Sequence, residues 1–199
     1  MASEPAYKVL CSKDHVILKY KRYSPGTQCV KNTFLIDFEM YNPSPTVNME
    51  RFCSFNIFKL IFEVNRNDAI EALTLDEYAD DVSQANMTML FKRKGADFGM
   101  KQKYLSLHIN FTKSGTNYVF EGEPIPTSLC SNNDNALEQI KDASSVFCMS
   151  LLSPDKLRVQ FMLSLPVPTD EQPSYIEHNL GFIMKKVLSR TKTFIEAMK

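Results

Sequence analysis

Five apolar residues alternate with other side chains along Leu157–Leu165, and this pattern constrains the fold more than any other feature of the sequence. The apolar positions are Leu157, Val159, Phe161, Leu163 and Leu165. A spacing of two residues places all five on one face of a β-strand. Because a sheet with one buried face needs a second layer to cover it, the rest of the chain must supply both neighbouring strands and a cover.

Several other segments are predicted to pair with this strand in an antiparallel sheet. Alternation or β-rich composition predicts strands over His15–Lys21, Thr33–Tyr41, Ala69–Leu75, Val82–Lys94, Met100–Thr112, Tyr118–Phe120 and Ser145–Leu152. The turn Lys113–Asn117 predicts one hairpin, and the turn Ser153–Lys156 predicts the last one. The prolines of Asn42–Pro45 end the second strand.

Two segments have helical rather than strand periodicity. Asn48 is a suitable N-cap, and Met49–Val64 carries phenylalanines at helical spacing, which predicts a helix. The alternative is a strand over Phe58–Val64, since short apolar runs are ambiguous. From Tyr175 to the last residue, a wide apolar stripe predicts a long closing helix. The fold class is therefore α+β, with the closing helix over one face of the sheet.

Composition excludes several classes of function. Lys plus Arg and Asp plus Glu both number 23, so the net charge is zero, whereas nucleic-acid binders normally carry a basic excess. The sequence contains no phosphate-binding glycine loop and no nucleophile motif, so we expect neither an enzyme nor a cofactor. The five cysteines are scattered and lack metal-site spacing, so we expect free thiols, no metal and a cytoplasmic protein.

The closing helix carries a local basic face despite the neutral charge of the whole chain. We expect four of its residues to contact anionic lipid headgroups at a membrane surface, namely Lys185, Lys186, Arg190 and Lys192. The alternative is an ordinary solvated face, which is the usual role of charged residues opposite an apolar stripe.

Several motifs resemble those of the START (steroidogenic acute regulatory protein-related lipid transfer) domain in the helix-grip superfamily. Val187–Met198 is similar to that family's closing helix, and Asp14-His15-Val16 resembles its opening D-G-V strand. Gly95–Phe98 lies where the family carries an Arg-Asp-Phe signature, although Ala96 replaces the arginine. Ser114–Val119 is similar to the family's glycine turn before the next strand.

The resemblance implies one START-like domain over residues 1–199, a curved antiparallel sheet wrapped around a long C-terminal helix. It further implies non-enzymatic binding and transfer of a lipid or sterol, held in an internal apolar cavity that opens near the closing helix. The residues expected to line this cavity are Phe52, Phe55, Leu105, Leu107, Ile109, Phe147, Met149, Phe161, Leu163, Phe182, Ile183, Val187 and Phe194.

Two other functions are consistent with the sequence. The order of strand, helix and paired strands over Thr33–Arg93 also resembles a DNA sliding clamp, although such clamps need basic helices. The third possibility is a protein-interaction scaffold, whose groove binds a partner peptide or whose cavity is filled by its own side chains.

Overall fold

The structure is a computed structural model that describes residues 6–23, 29–78, 81–93, 101–126, 137–168 and 175–199. In chain order, the described elements are β1 (Lys8–Lys13), β2 (Val16–Tyr23), β3 (Cys29–Tyr41), a 3₁₀ helix (Met49–Phe52), α1 (Asn56–Asn65), β4 (Ile70–Tyr78), β5 (Asp81–Phe91), β6 (Gln102–Ser114), β7 (Asn117–Pro124), β8 (Leu137–Gln139), β9 (Ser144–Ser153), β10 (Lys156–Pro168) and α2 (Tyr175–Glu196). The signature at Gly95–Phe98 lies outside the described residues.

The described strands form a single sheet in the order β1-β2-β3-β10-β9-β7-β6-β5-β4, in which all these neighbours are antiparallel. The short strand β8 adds to β6 in parallel. Every strand predicted from the sequence is present, and the two predicted hairpins are confirmed as β6–β7 and β9–β10. Strands β1 and β8 were not predicted.

The sheet must bend, because its two ends approach the same pair of helices. Helix α2 packs against α1, β3 and β2, and α1 in turn packs against α2 and β4. Seven steps separate β2 from β4 in the strand order, and at ~4.8 Å a step they would lie roughly 34 Å apart in a flat sheet. Two packed helices have axes only ~8–10 Å apart. The predicted helix-grip arrangement, a curved sheet around the C-terminal helix, is confirmed.

The alternation in β10 and β3 places one face of each strand in the core. The five apolar residues of Leu157–Leu165 are buried, and so are Phe34, Ile36, Phe38 and Met40 of β3. Further along the concave face, phenylalanines from β6, β7, β9 and β10 meet two from the α1 region, with ring centroids 4.6–6.3 Å apart. These are Phe55, Phe58, Phe111, Phe120, Phe147 and Phe161. These six phenylalanines therefore form one connected aromatic core.

The predicted helix over Met49–Val64 is present but interrupted. A 3₁₀ helix over Met49–Phe52 begins at the predicted cap, where the side chain of Asn48 accepts a hydrogen bond from the amide of Glu50 at 2.9 Å. At about 100° per residue, Met49 and Phe55 would point roughly 120° apart on one α-helix. Both side chains are buried. The helix is therefore interrupted between these residues, which allows both side chains to point into the core. The alternative strand over Phe58–Val64 is wrong, because those residues belong to α1.

The topology also rules out a clamp-like unit over Thr33–Arg93. Strand β3 and the hairpin β4–β5 follow one another around α1 in the sequence. In the sheet, however, β3 and β4 lie six positions apart, with β10, β9, β7, β6 and β5 between them. Strands β3, β4 and β5 therefore do not form one compact unit with α1.

Candidate functional site

An enclosed apolar pocket lies between the helices and the concave face of the sheet. Its described wall is built from α1, β5, β6, β9, β10 and α2, and every described side chain that lines it is apolar except that of Ser145. The free space is only about 30 Å³. Pockets that hold small molecules are typically about 300–1,000 Å³. The interior is thus apolar but filled by the protein's own side chains.

Five of the thirteen residues predicted to line a cavity do line this pocket: Leu105, Leu107, Phe147, Phe161 and Leu163. Four more are buried in the core but away from the pocket wall: Phe55, Ile109, Met149 and Val187. Two are half-buried and pack against the core from its margin, Phe52 and Ile183. The structure thus brings most of the predicted set into one core, but fewer than half of it to the pocket.

Two predictions, Phe182 and Phe194, are wrong as cavity residues. Their side chains are 45% and 46% exposed on the outer side of α2. The buried side of this helix carries Leu180, Met184 and Leu188, which line the pocket. Because each residue turns the helix by about 100°, a phenylalanine two positions from Leu180 and Met184 points away from the sheet.

The sequence prediction missed nine residues of the wall: Phe58, Ile61, Met87, Met89, Phe91, Ser145, Leu180, Met184 and Leu188. Two patterns could have identified many of them. The apolar residues of β5 recur at every second position up to Phe91, and those of α2 recur at every fourth position from Leu180. Both spacings indicate a buried face.

The basic residues of α2 are largely engaged in ion pairs. Lys186 contacts the carboxylate of Asp68 at 2.7 Å, and Arg190 contacts the same carboxylate. Lys192 pairs with Glu196 one turn along, and its side chain is only 11% exposed. Lys185 is half-buried. Asp68 follows α1, so these contacts also fasten α2 to α1.

Further polar contacts hold the C-terminal half of α2 and the residues just after it. The buried amide of Asn42 donates to the carbonyls of Ile195 at 2.6 Å and Met198 at 3.0 Å. Asn65, at the end of α1, donates to the carbonyl of Val187 at 3.3 Å. The side-chain oxygen of Asn65 is buried and has no hydrogen-bond partner within the described part of the chain. These bonds fasten this half of the helix to Asn42, just after β3, and to Asn65, at the end of α1.

Tyr118 and Lys113 fasten the 3₁₀ helix to the β6–β7 hairpin. The Tyr118 hydroxyl donates to the Glu50 carboxylate at 2.7 Å, and the Lys113 ammonium contacts it at 3.1 Å. These hydrogen bonds lower the pKa of Glu50 and raise the pKa of Tyr118 and Lys113. Burial, together with the nearby Glu50 charge, raises the pKa of Cys53 to about 12. A thiol in this state is not a nucleophile at neutral pH.

A larger depression of about 720 Å³ opens at the surface near the ends of β2 and β3. Its charges already pair with one another: Lys156 contacts Glu39 at 2.6 Å, and Arg158 contacts Asp37 at 3.2 Å. Such exposed pairs are common on protein surfaces and contribute little. The enclosed pocket is therefore the better candidate for a ligand site.

The described residues contain no cluster of three or more His, Cys, Asp or Glu side chains that could hold a metal ion. His108 lies in β6, where its Nδ1 is 3.0 Å from the side-chain oxygen of Asn86. Neither described helix has the length and apolar composition needed to cross a bilayer.

Comparison with known proteins identifies the fold. No protein-family model matches the sequence, and no curated protein matches it. Among solved structures, the human StarD13 lipid transfer and protein localization domain is similar, with a TM-score of 0.66 and 9% identity over 97% of this chain and 90% of that one. A STAR-related lipid transfer protein from Xanthomonas axonopodis is also similar, with a TM-score of 0.66 and 10% identity over 95% of this chain and 98% of that one.

An aromatase/cyclase from Streptomyces is also similar, with a TM-score of 0.52 and 7% identity over 83% of this chain and 94% of that one. The chain thus has a START-like helix-grip fold. This fold also occurs in an enzyme, so the fold alone does not determine whether the protein is catalytic.

Proposed function

We propose that the protein is a non-enzymatic lipid-binding domain, START-like over residues 1–199, that takes an apolar ligand into its interior when α2 moves. The observation that carries this proposal is the pocket enclosed between α2 and the concave sheet, with thirteen apolar side chains and one serine in its wall. Two of the structures with a similar fold are described as lipid transfer proteins, which supports a lipid or sterol as the ligand.

A lipid can enter only if the pocket enlarges. Three wall residues are methionines, Met87, Met89 and Met184, whose unbranched side chains adapt to new shapes. Burying apolar ligand surface yields about 25 cal/mol per Å², so a lipid that buries roughly 400 Å² gains about 10 kcal/mol. That gain is large enough to offset the displacement of several core side chains.

The contacts of α2 favour an opening at its N-terminal half. Residues from Lys186 onward bond to Asn42, Asn65 and Asp68, and displacing this half would break all of these bonds. The part before Lys186 carries the pocket residues Leu180 and Met184, so its displacement would uncover the pocket while those bonds stay intact. We propose that this N-terminal half is the gate.

The outer side of α2 has the composition of a membrane-contact surface. Phe182, Lys186, Arg190 and Phe194 follow one another at intervals of four residues, with exposed aromatics outside and cations between. Aromatic side chains partition into the headgroup region of a bilayer, and cations attract anionic lipids. Asp68 offsets one of the two charges. We propose transient contact with anionic membranes, to which Lys185 and Lys192 contribute less.

A protein-interaction scaffold is the second candidate, and the small free volume of about 30 Å³ favours it. A core already filled by side chains would then have a structural role only, and a protein partner would bind elsewhere. Under either function we place the protein in the cytoplasm, where its free cysteines would stay reduced.

Lipid uptake separates the two candidates. The purified protein would be extracted with organic solvent and analysed by mass spectrometry, and the lipid-free protein would then be tested for uptake from vesicles. We expect saturable uptake that Met184→Trp abolishes, because the larger side chain fills the pocket wall. Thr193→Trp, on the exposed side of the same helix, is the matched control. If neither measurement detects lipid in the wild-type protein, lipid binding is excluded and the protein-interaction scaffold remains as the function.

Membrane contact has a separate test. Binding to vesicles with and without phosphatidylserine would be measured by flotation for the wild type and for a Phe182→Ser, Phe194→Ser double variant. We expect the double variant to bind several-fold more weakly, because the two exposed rings supply the apolar contact. Equal binding of both proteins would show that α2 does not face the membrane.

A further inference from the structure

The floor of the pocket has a gap in one row of the sheet. Ile109, Gly122, Ser145 and Leu163 lie side by side on β6, β7, β9 and β10. Gly122 has no side chain, and a Cβ built there would lie 2.6 Å from the Ser145 hydroxyl oxygen and 3.0 Å from a Leu107 methyl carbon. The glycine therefore leaves room for the serine hydroxyl in the floor of the pocket.

Ser145 supplies the polar atom in an otherwise apolar wall. Among the described residues, its side chain forms no hydrogen bond, whereas Ser150 on the same strand donates to Asn117 at 2.7 Å. A serine hydroxyl can both donate and accept a hydrogen bond. It can therefore pair with one uncharged polar group of a ligand, and a hydroxyl group, which also does both, is its best match.

The surroundings of the pocket disfavour a charged headgroup. Among the residues that the structure describes, no charged side chain lines the wall. The nearest candidate on the same face of β6 is Lys103, which is buried but already paired with Glu138 at 2.8 Å. Transfer of an unpaired charge into such an environment is costly, whereas one hydroxyl with a hydrogen-bond partner is not.

We infer that the pocket takes a neutral lipid with a hydrocarbon body and a single hydroxyl group, and that this hydroxyl binds Ser145 above Gly122. This inference rests on the proposed function, because it requires that a ligand enters the pocket. It narrows the ligand to a lipid alcohol and disfavours lipids whose phosphate would have to be buried.

Three probes with the same chain test the inference: hexadecane, 1-hexadecanol and hexadecyl phosphate, delivered from cyclodextrin and quantified after gel filtration. We expect the wild-type protein to bind the alcohol about 2–12-fold more tightly than the hydrocarbon, which corresponds to ~0.5–1.5 kcal/mol for one neutral hydrogen bond. The phosphate should bind most weakly. Ser145→Ala should bring the ratio of alcohol to hydrocarbon affinity to about one, and Ser150→Ala should leave it unchanged.

The ratio within each protein does not depend on the fraction that is folded. An unchanged ratio in Ser145→Ala, or tightest binding of the phosphate, would overturn the inference while leaving lipid binding intact. If the wild-type protein binds none of the three probes, the proposed function fails and the inference fails with it.

Discussion

Asn42 connects the end of β3 to the end of α2, and its replacement by alanine should destabilise the protein substantially. The side chain is 1% exposed. Its amide donates to the carbonyls of Ile195 and Met198, and its oxygen accepts from the amide of Ser44 at 2.9 Å. Asn42→Ala removes the donor from two carbonyls, that of Ile195 in the last helical turn and that of Met198 two residues after the helix.

The expected magnitude follows from these two acceptors. The bond to Ile195 is buried, and an unsatisfied buried acceptor costs about 1–3 kcal/mol. The bond to Met198 is partly buried and contributes ~0.5–1 kcal/mol. Together they give roughly 1.5–4 kcal/mol in the free energy of unfolding. For a chain of this size, that corresponds to a decrease in Tm of roughly 3–16 °C.

Urea unfolding followed by circular dichroism would measure the effect. Asn42→Asp should destabilise at least as much, since a carboxylate cannot donate and also faces the negative end of the helix dipole. Asn117→Ala is the matched control, because its side chain makes an exposed bond to Ser150, worth less than about 1 kcal/mol. The reasoning is refuted if the alanine variants at 42 and 117 are equally stable.

Three further predictions concern packing, pH and thiol reactivity. Gly181→Ala would place a Cβ 2.2 Å from the ring of Phe34, so we expect a loss of about 1–3 kcal/mol by thermal unfolding; unchanged stability would contradict this close packing. Glu50 has a lowered pKa, so its contribution to stability is complete above the ordinary glutamate pKa and disappears as pH falls through the lower folded value. The difference in the free energy of unfolding between the wild type and Glu50→Gln should therefore decrease toward low pH. A difference that stays constant with pH would count against this role of Glu50. Cys53, with its pKa near 12, should react with iodoacetamide at pH 8 only after unfolding, as peptide mapping would show; labelling of the native protein would be inconsistent with its burial.

Local signals in the sequence were sufficient to predict the α+β class, whereas the helix-grip arrangement was implied by the START resemblance. The alternation of Leu157–Leu165 and the apolar stripe after Tyr175 each identify an element and its buried face without knowledge of the neighbours. Strand β8 was missed because its three residues pair with a distant part of β6. The interruption of the predicted helix near Cys53 also depends on distant contacts, because Met49 and Phe55 must both reach the core.

The pocket was less predictable than the fold. Whether an apolar residue lines a cavity or fills it depends on the distance between the helices and the sheet. The periodicity of the sequence does not indicate that distance. Phe182 and Phe194 are apolar, yet they lie on the outer side of their helix. The partner of Lys186 and Arg190 is Asp68, more than one hundred residues earlier, so their ion pairing was not visible in the local charge pattern either.

The proposed opening of the pocket would be chemically observable through the methionines of its wall. Met87, Met89 and Met184 are 4%, 4% and 7% exposed, so a dissolved oxidant reaches their sulfur atoms only while the interior is open. Conversion to the sulfoxide gives a polar side chain that disrupts an apolar core. The rate at which peroxide oxidises these methionines would therefore be proportional to the fraction of time that the pocket is open. Each molecule oxidised in the open state would keep its methionine sulfoxides and a disrupted core.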